Sequence, residues 1–474
     1  MLAPLVFSAC GAVDSWFCSD ARCEWTDTEW AWVQSLANPP YPPPDDPSNA
    51  FVNVDGAISL GRAFYFDTGF SGVATQLDAV KRTSPPARAP IGQPIGVSCA
   101  TCHDLGQAGI DRTSVPGNVS VGAGWTDVNA LPTVNSAYRQ LLFWNGRADS
   151  LWALNVMVAE SPTTMNGNRL ALAHRVFDVY GDDFQAVFGS LDSTNGLDPS
   201  RFPPAGKPKA RGAADGAWET MAPGDQDTVN RILVNWGKAI AAYEYRLVSR
   251  NSPFDLFVAK GRESDEISEA AKRGARLFVG KGACVDCHSG PLLTDEQFHN
   301  IGVAQIGLAV PTTSDCPEGG PCDCVTPPPT LNCADAGTLP TCAPAGARVG
   351  LARLQCSTWS RTSKYSDAPD ESRSAYLDIP LNNELVGQWR TPSLRDVALT
   401  APYMHDGSLA TLEDVIWHYN TGGAAESGER IGVPAAELKP LDLTDDEVAD
   451  LVAFLETLTG APLNPDLIAA PTPR

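Results

Sequence analysis

The sequence predicts a mainly α-helical protein in two halves, with little β structure and long loops. Three observations lead there. Apolar residues recur at helical spacing in long segments, most plainly Val229, Leu233, Trp236, Ile240 and Tyr243 in DQDTVNRILVNWGKAIAAYEYRL. Alternating runs of β-branched residues are scarce. One motif, Cys-x-x-Cys-His, occurs twice, at Cys99–His103 and Cys284–His288, and marks a first and a second half.

The elements follow in order. MLAPLVFSAC is a short apolar stretch with small residues before Cys10 and no basic residue ahead of them, similar to the end of a lipoprotein signal. Cys10 is therefore a candidate lipid-anchor site. A Pro-rich linker, NPPYPPPDDPSN, closes this segment at 1–49. The first domain, 50–248, opens with a helix over DGAISLGRAFYFD, then a loop over TQLDAVKRTSPPARAPIGQP, and ends on the long helix already described. The second domain, 249–465, carries a helix over ISEAAKRGARLFV that runs into the second Cys motif. Its Cys-rich insertion, 312–356, holds too much Pro and Gly for regular structure. TLEDVIWHYN begins with Thr411 as cap and Asp414 three positions on. The last helix, TDDEVADLVAFLETLTG, has a capping box of Thr444 and Glu447 and a stop at Gly460. Residues 466–474 form a tail.

At 474 residues with 43% hydrophobic content, the chain supports one large or two ordinary domains. A net charge of -22 argues against nucleic acid and anionic membrane as partners and favours a basic or neutral docking partner. No run of about eighteen apolar residues occurs, so no transmembrane helix is expected. Thirteen Cys point to an oxidising compartment, periplasmic or otherwise extracytoplasmic. Beyond the two motifs and Cys10, eight remain: Cys18, Cys23, Cys316, Cys322, Cys324, Cys333, Cys342 and Cys356. They could form four disulfides of open connectivity.

The repeated motif carries the chemistry. Two thiols three positions apart can bond the two vinyl groups of one haem, and the adjacent His then lies under the iron. A zinc half-site or a redox dithiol could explain one such motif. Two of them, each with its His, in a chain of only six His, predict two covalently bound c-type haems. Each half is larger than the roughly hundred residues that a one-haem module needs, which leaves room for a catalytic pocket.

The order LGRAFYFD, CATCH, GAGW, LFWNGRADSLW, CVDCH, FHNIGV and RTPSLRDVALTAPYMHDGSLATLEDV resembles the di-haem cytochrome c peroxidase and MauG family, from about Leu60 to Gly460. The resemblance implies two cytochrome c-like helical domains with one haem each. It implies that hydrogen peroxide reacts at the N-terminal haem and that the C-terminal haem stores or relays electrons. The family's inter-haem Trp maps to Trp144 of FWNGR. Its calcium ion maps to the Asn129 side chain and the carbonyls of Thr400 and Pro402, oxygen donors that suit calcium. The implied electron donor is a small cytochrome c or a copper protein; in a MauG-like version, a partner protein is the oxidised substrate.

The departures from the family pattern are informative. A His caps the N-terminal iron in many relatives within GHGW; here that position is Ala123, which cannot ligate. The distal Gln and Glu positions of the family fall on Leu154 and Thr164, and Glu160 is the nearest acid. Without a substitute acid, peroxide cleavage would lose general acid–base help commonly worth about 10²–10⁴-fold. Arg147 and Arg395 could pair with haem carboxylates. His299 fits either a haem propionate contact or a structural turn, and His174 a helix face.

For the second iron, His288 is the proximal ligand and the opposite ligand must come from APYMHDGSLATLEDVIWHYNTGG. Leu412, Val415, Ile416 and Tyr419 share one apolar helix face, whereas His418 is turned about 100° away. The family's Met ligand position also falls on Tyr419, and MauG has Tyr there. Met404 is the alternative. A phenolate is a hard donor that favours oxidised over ferrous iron. Tyr419 and Ala123 favour a MauG-like oxidase acting on a partner protein. Gly282 opposes it, because MauG has there the surface Trp that passes the oxidising equivalent on. A reading from another class is a non-catalytic di-haem electron carrier or sensor.

Overall fold

The structure is a computed structural model, and it describes residues 25–75, 88–116, 119–126, 128–190, 197–198, 200–209, 215–304, 346–369, 376–423, 430 and 432–472. Cys10, Cys18, Cys23 and most of the Cys-rich insertion lie outside the described residues.

The first half is built on α2 (Asp55–Phe66), the short α3 (Cys99–Cys102), α4 (Leu151–Glu160), α5 (Arg169–Phe188) and α6 (Pro223–Glu244). The second uses α7 (Pro253–Lys260), α8 (Glu269–Val279), α9 (Ala347–Gln355), α10 (Leu412–Asn420), α11 (Asp445–Glu456) and α12 (Pro465–Ile468). The one sheet among the described residues is a two-residue antiparallel pair, β1 (Phe298–His299) with β2 (Trp389–Arg390). The mainly helical expectation holds.

Each half has its own core. Phe64, Trp152, Phe184, Trp236 and Tyr243 anchor the first, and Phe254, Phe278, Leu451 and Phe454 the second. Two segments cross over. Helix α1 (Asp27–Ser35), within what reads from sequence as a lead-in, seats Trp30 and Val33 in the second core. Leu467 and Ile468 of α12, in the expected tail, pack on the first. Only the burial of these residues carries that information; their local sequence does not.

The two halves use the same device at their main helix crossing. In the first, α2 meets α6 at Gly61, where a Cβ would overlap the Ala239 carbonyl. In the second, α8 meets α11 at Gly274, where a Cβ would overlap the Asp450 carbonyl. In both, the glycine lets the helix that precedes a Cys motif lie backbone-close to its partner.

The likeness extends to a second unit, 129–158 against 390–419, in constant register. Asn135 and Asp396 have φ 63° and 60° and start a short 3-10 turn. Phe143 and Met404 have φ 65° and 72°, Gly146 and Gly407 φ 72° and 64°. The bridges Leu142–Ala148 and Tyr403–Leu409 close the two turns, and Ser150 and Thr411 cap α4 and α10. The units bond reciprocally: Asn129 N–H donates to the His405 carbonyl (2.7 Å), and Arg390 N–H to the Trp144 carbonyl (2.8 Å). The halves therefore meet about a local pseudo-two-fold, with Trp144 and His405 at equivalent positions.

Candidate haem sites and the interface between them

In the first Cys motif, Ser98 caps α3 and the His103 N–H closes on the Cys99 carbonyl (2.9 Å). The His103 ring is held through Nδ1 by the Gly109 carbonyl at 2.8 Å, which leaves Nε2 free. Burial lowers its pKa, so the ring is neutral, as an iron ligand must be. The second motif repeats this arrangement: His288 Nδ1 bonds the Leu293 carbonyl at 2.9 Å, and burial again keeps the ring neutral. A backbone carbonyl on the far nitrogen fixes ring orientation and tautomer.

All four thiols, Cys99, Cys102, Cys284 and Cys287, are free and only partly covered. Yet desolvation pushes Cys102 and Cys284 up to about 12 and Cys99 higher still. A pair of thiols that keeps some accessible surface, with an imidazole nitrogen left over beside it, fits a haem in each half.

Tyr419 meets the second crevice. Burial raises its pKa above the usual phenol range, and its next influences are the Cys284 and Cys287 thiols. His418 points elsewhere, bonding the Ile301 carbonyl through Nε2 at 2.8 Å. Met404 sits in the left-handed corner of the interface turn, as the counterpart of Phe143.

The register between halves identifies the matching position in the first crevice. Tyr419 on α10 corresponds to Val158 on α4. Val158 lines a cleft of about 330 Å³ with Arg147, Met157, Ser161, Pro162, Thr164 and Arg353. Ala123 lies buried beside it, its N–H on the Thr164 carbonyl (2.6 Å), and Leu154 packs against the core. Among the described residues, the cleft has no carboxylate in its lining.

Glu160 does not supply one. Its carboxylate is held by the Arg169 guanidinium (3.0 and 3.2 Å to Nε) and by the Arg169 N–H at the start of α5 (2.9 Å). The acid closest in sequence is thus taken up in joining α4 to α5. Arg395 is likewise occupied, by both Asp255 oxygens (2.9 Å each) and the Leu36 and Pro291 carbonyls. Arg147 lies 3.5 Å over the Phe143 ring and lines the cleft. His174 bonds the Phe202 carbonyl at 3.0 Å from the face of α5. His299 bonds Asp295 at 2.7 Å next to Cys287, and these two partners raise it to about 10.

Where the two halves meet, Trp144 donates from Nε1 to the Asn129 carbonyl (2.9 Å). Asn129 Nδ2 donates to the Pro402 carbonyl (2.7 Å), while its Oδ1 accepts from Ala130 N–H. Thr400 Oγ1 turns to the Val397 carbonyl. The Asn129 amide and the Pro402 carbonyl are therefore together, and turning the amide would present two oxygens, the donor type calcium takes. His405 is buried and neutral, its pKa lowered to about 3, and it stacks on Trp389 at 4.1 Å and 19°. Sequence reasoning passed over Val158, Trp389 and the ring of His405; aligning FWNGRADSL with MHDGSLATL in one register is the signal that finds them.

Two matched Cys-x-x-Cys-His crevices in a mainly helical fold define a di-haem cytochrome. The family model described as di-haem cytochrome c peroxidase matches residues 55–264 of the chain. It is 29% identical over 428 residues to cytochrome-c peroxidase IdrP1 of Denitromonas iodatirespirans, covering 89% of this chain and 85% of that one. It is 28% identical to the methylamine utilization protein MauG of Methylorubrum extorquens, covering 85% and 78%. The fold is similar to that of the diheme peroxidase BthA from Burkholderia thailandensis, with TM-score 0.56, 21% identity and 88% and 90% coverage. The relatives that it matches over most of their length include cytochrome-c peroxidases, which are oxidoreductases.

Proposed function

We propose that hydrogen peroxide is reduced in the His103 crevice and that the oxidising equivalents are shared with the His288/Tyr419 crevice through Trp144. The observation that carries this division of labour is the Val158/Tyr419 correspondence: one fold position offers a ligand in the second half and an alkyl group in the first. When bound through Cys99 and Cys102 and through Cys284 and Cys287, the two haems supply redox-active iron. His103 and His288 would hold that iron through Nε2. Tyr419 would offer its phenol oxygen in the second half, where burial opposes phenolate formation. Val158 and Ala123 would leave room for a small substrate in the first half. Arg147 and Arg353 give that entrance positive charge, while the lack of a carboxylate leaves proton movement to water. Asn129 and the carbonyls of Pro402 and Thr400 would hold a calcium ion, whose charge would join segments of the two halves.

The MauG-like reading, oxidation of a partner protein, is favoured by Tyr419 and opposed at Gly282. A Cβ there would meet the Leu277 carbonyl at 2.9 Å, so no aromatic exit residue fits. A soluble cytochrome or copper-protein donor is the simpler partner. Among the described residues no helix is long and apolar enough to cross a membrane. Cys356 is disulfide-bonded, which supports an oxidising, extracytoplasmic setting. The test is stoichiometric peroxide added to the ferric holoprotein. Spectral change at both haems is the expected result; unchanged spectra would leave the carrier or sensor reading instead.

A further inference from the structure

Trp144 does not stand alone at the interface. The His405 ring lies 6.4 Å from it, edge to face at 70°. His405 in turn stacks face to face on Trp389, 4.1 Å away. Trp389 is the cross-strand partner of His299, and His299 adjoins Asp295 and Cys287 of the second motif. Three rings, Trp144, His405 and Trp389, thus form a file that ends on the strand paired with His299, beside the second Cys motif. On the other side, Trp144 bonds the Asn129 carbonyl, and Thr133 of the same segment bonds the Gly109 carbonyl that orients His103.

We propose that Trp389 is a second redox relay residue, carrying the oxidising equivalent between Trp144 and the His288 crevice, with His405 as the positioning residue between the two indoles. The relay rests on the proposed peroxide reaction, which supplies the oxidant. Peroxide takes two electrons and two protons to give two waters. The relay moves one electron at a time: oxidised Trp144 takes an electron from Trp389, and Trp389 is refilled from the Cys287 side. No ring bond forms or breaks, and each indole ends as it began.

Electron tunnelling falls steeply with distance, so closely spaced rings replace one long jump by short ones. Stacked and edge-to-face contacts of this kind are themselves favourable, by about 0.5–1.5 kcal/mol, which holds the file in register.

Holoprotein treated with peroxide in the absence of a reductant provides the test. Peptide mapping by mass spectrometry should find oxygen added to Trp389, which is 7% exposed, in preference to Trp32, which is 46% exposed. Oxidant acting from bulk solvent would give the opposite order, and that order overturns the relay. In W389F the resting spectra of both haems should be unchanged, while electron equilibration between them slows by about tenfold or more. Unchanged equilibration in W389F overturns the relay alone. No spectral response to peroxide in the unaltered protein overturns the proposed function and the relay with it.

Discussion

Tyr419, Glu160 and Glu244 each make a separate point about what a single side chain can reveal. The apolar face of α10 was legible in the sequence and put Tyr419 inward; the structure brings it to the Cys284/Cys287 crevice. Tyr419→Phe should therefore change the absorption and electron paramagnetic resonance spectra of one haem and spare the other. Spectra identical to those of the unaltered protein would exclude ligation. Glu160 shows the limit of sequence proximity, because its ion pair with Arg169 depends on α5, a neighbour that a local reading does not supply. Glu160→Gln should leave the peroxide response intact and lower stability by about 1–3 kcal/mol, the cost of an under-satisfied buried charge, read as a fall in Tm. Glu244 is buried at the end of α6, with the Asn155 amide donating to it at 3.0 Å, and burial raises its pKa to about 8. The folded state binds its proton more tightly than the unfolded chain does. Stability should therefore decline as pH rises from about 4.5 toward 8 and level off above that. Glu244→Gln should flatten that slope in a Tm–pH series.

At the scale of elements, the helices best predicted were those with both periodicity and end signals. The capping boxes at Thr411/Asp414 and Thr444/Glu447 are present as read. The lead-in segment hid α1 because its burial is long-range, against Phe257 and the second core. The duplicated turn-and-helix unit was hidden for a different reason. Its halves share backbone geometry and only a few side chains, so the likeness lies in φ angles and reciprocal hydrogen bonds. Gly61 and Gly274 are where element packing is most exposed to change. Gly61→Ala should force α2 off the Ala239 carbonyl, and Gly274→Ala should force α8 off Asp450. Overpacking a close crossing costs typically about 1–3 kcal/mol. Thermal melts of the two variants should both shift downward, and an unshifted melt would mean that the crossing relaxes freely.

For the molecule as a whole, the decisive property is the joining of two similar halves with unlike residues, Val158 and Tyr419, at one matched position. Reciprocal bonds between 129 and 405 and between 390 and 144 fix the halves against each other. The aromatic file is consequently a property of the interface and of neither half alone. Whole-molecule charge then bears on how electrons enter. With a net charge of -22, the surface draws a cationic donor from a distance and repels an acidic one. Screening shortens that reach to about 10 Å at 0.1 M salt and about 3 Å at 1 M. Turnover with a basic small cytochrome should fall steeply as salt is raised across this range, chiefly through slower association. Turnover with a neutral chemical reductant should hardly change. Measuring kcat/KM for both donors across the salt series separates docking from chemistry, and equal salt dependence for the two would exclude electrostatic docking of the donor.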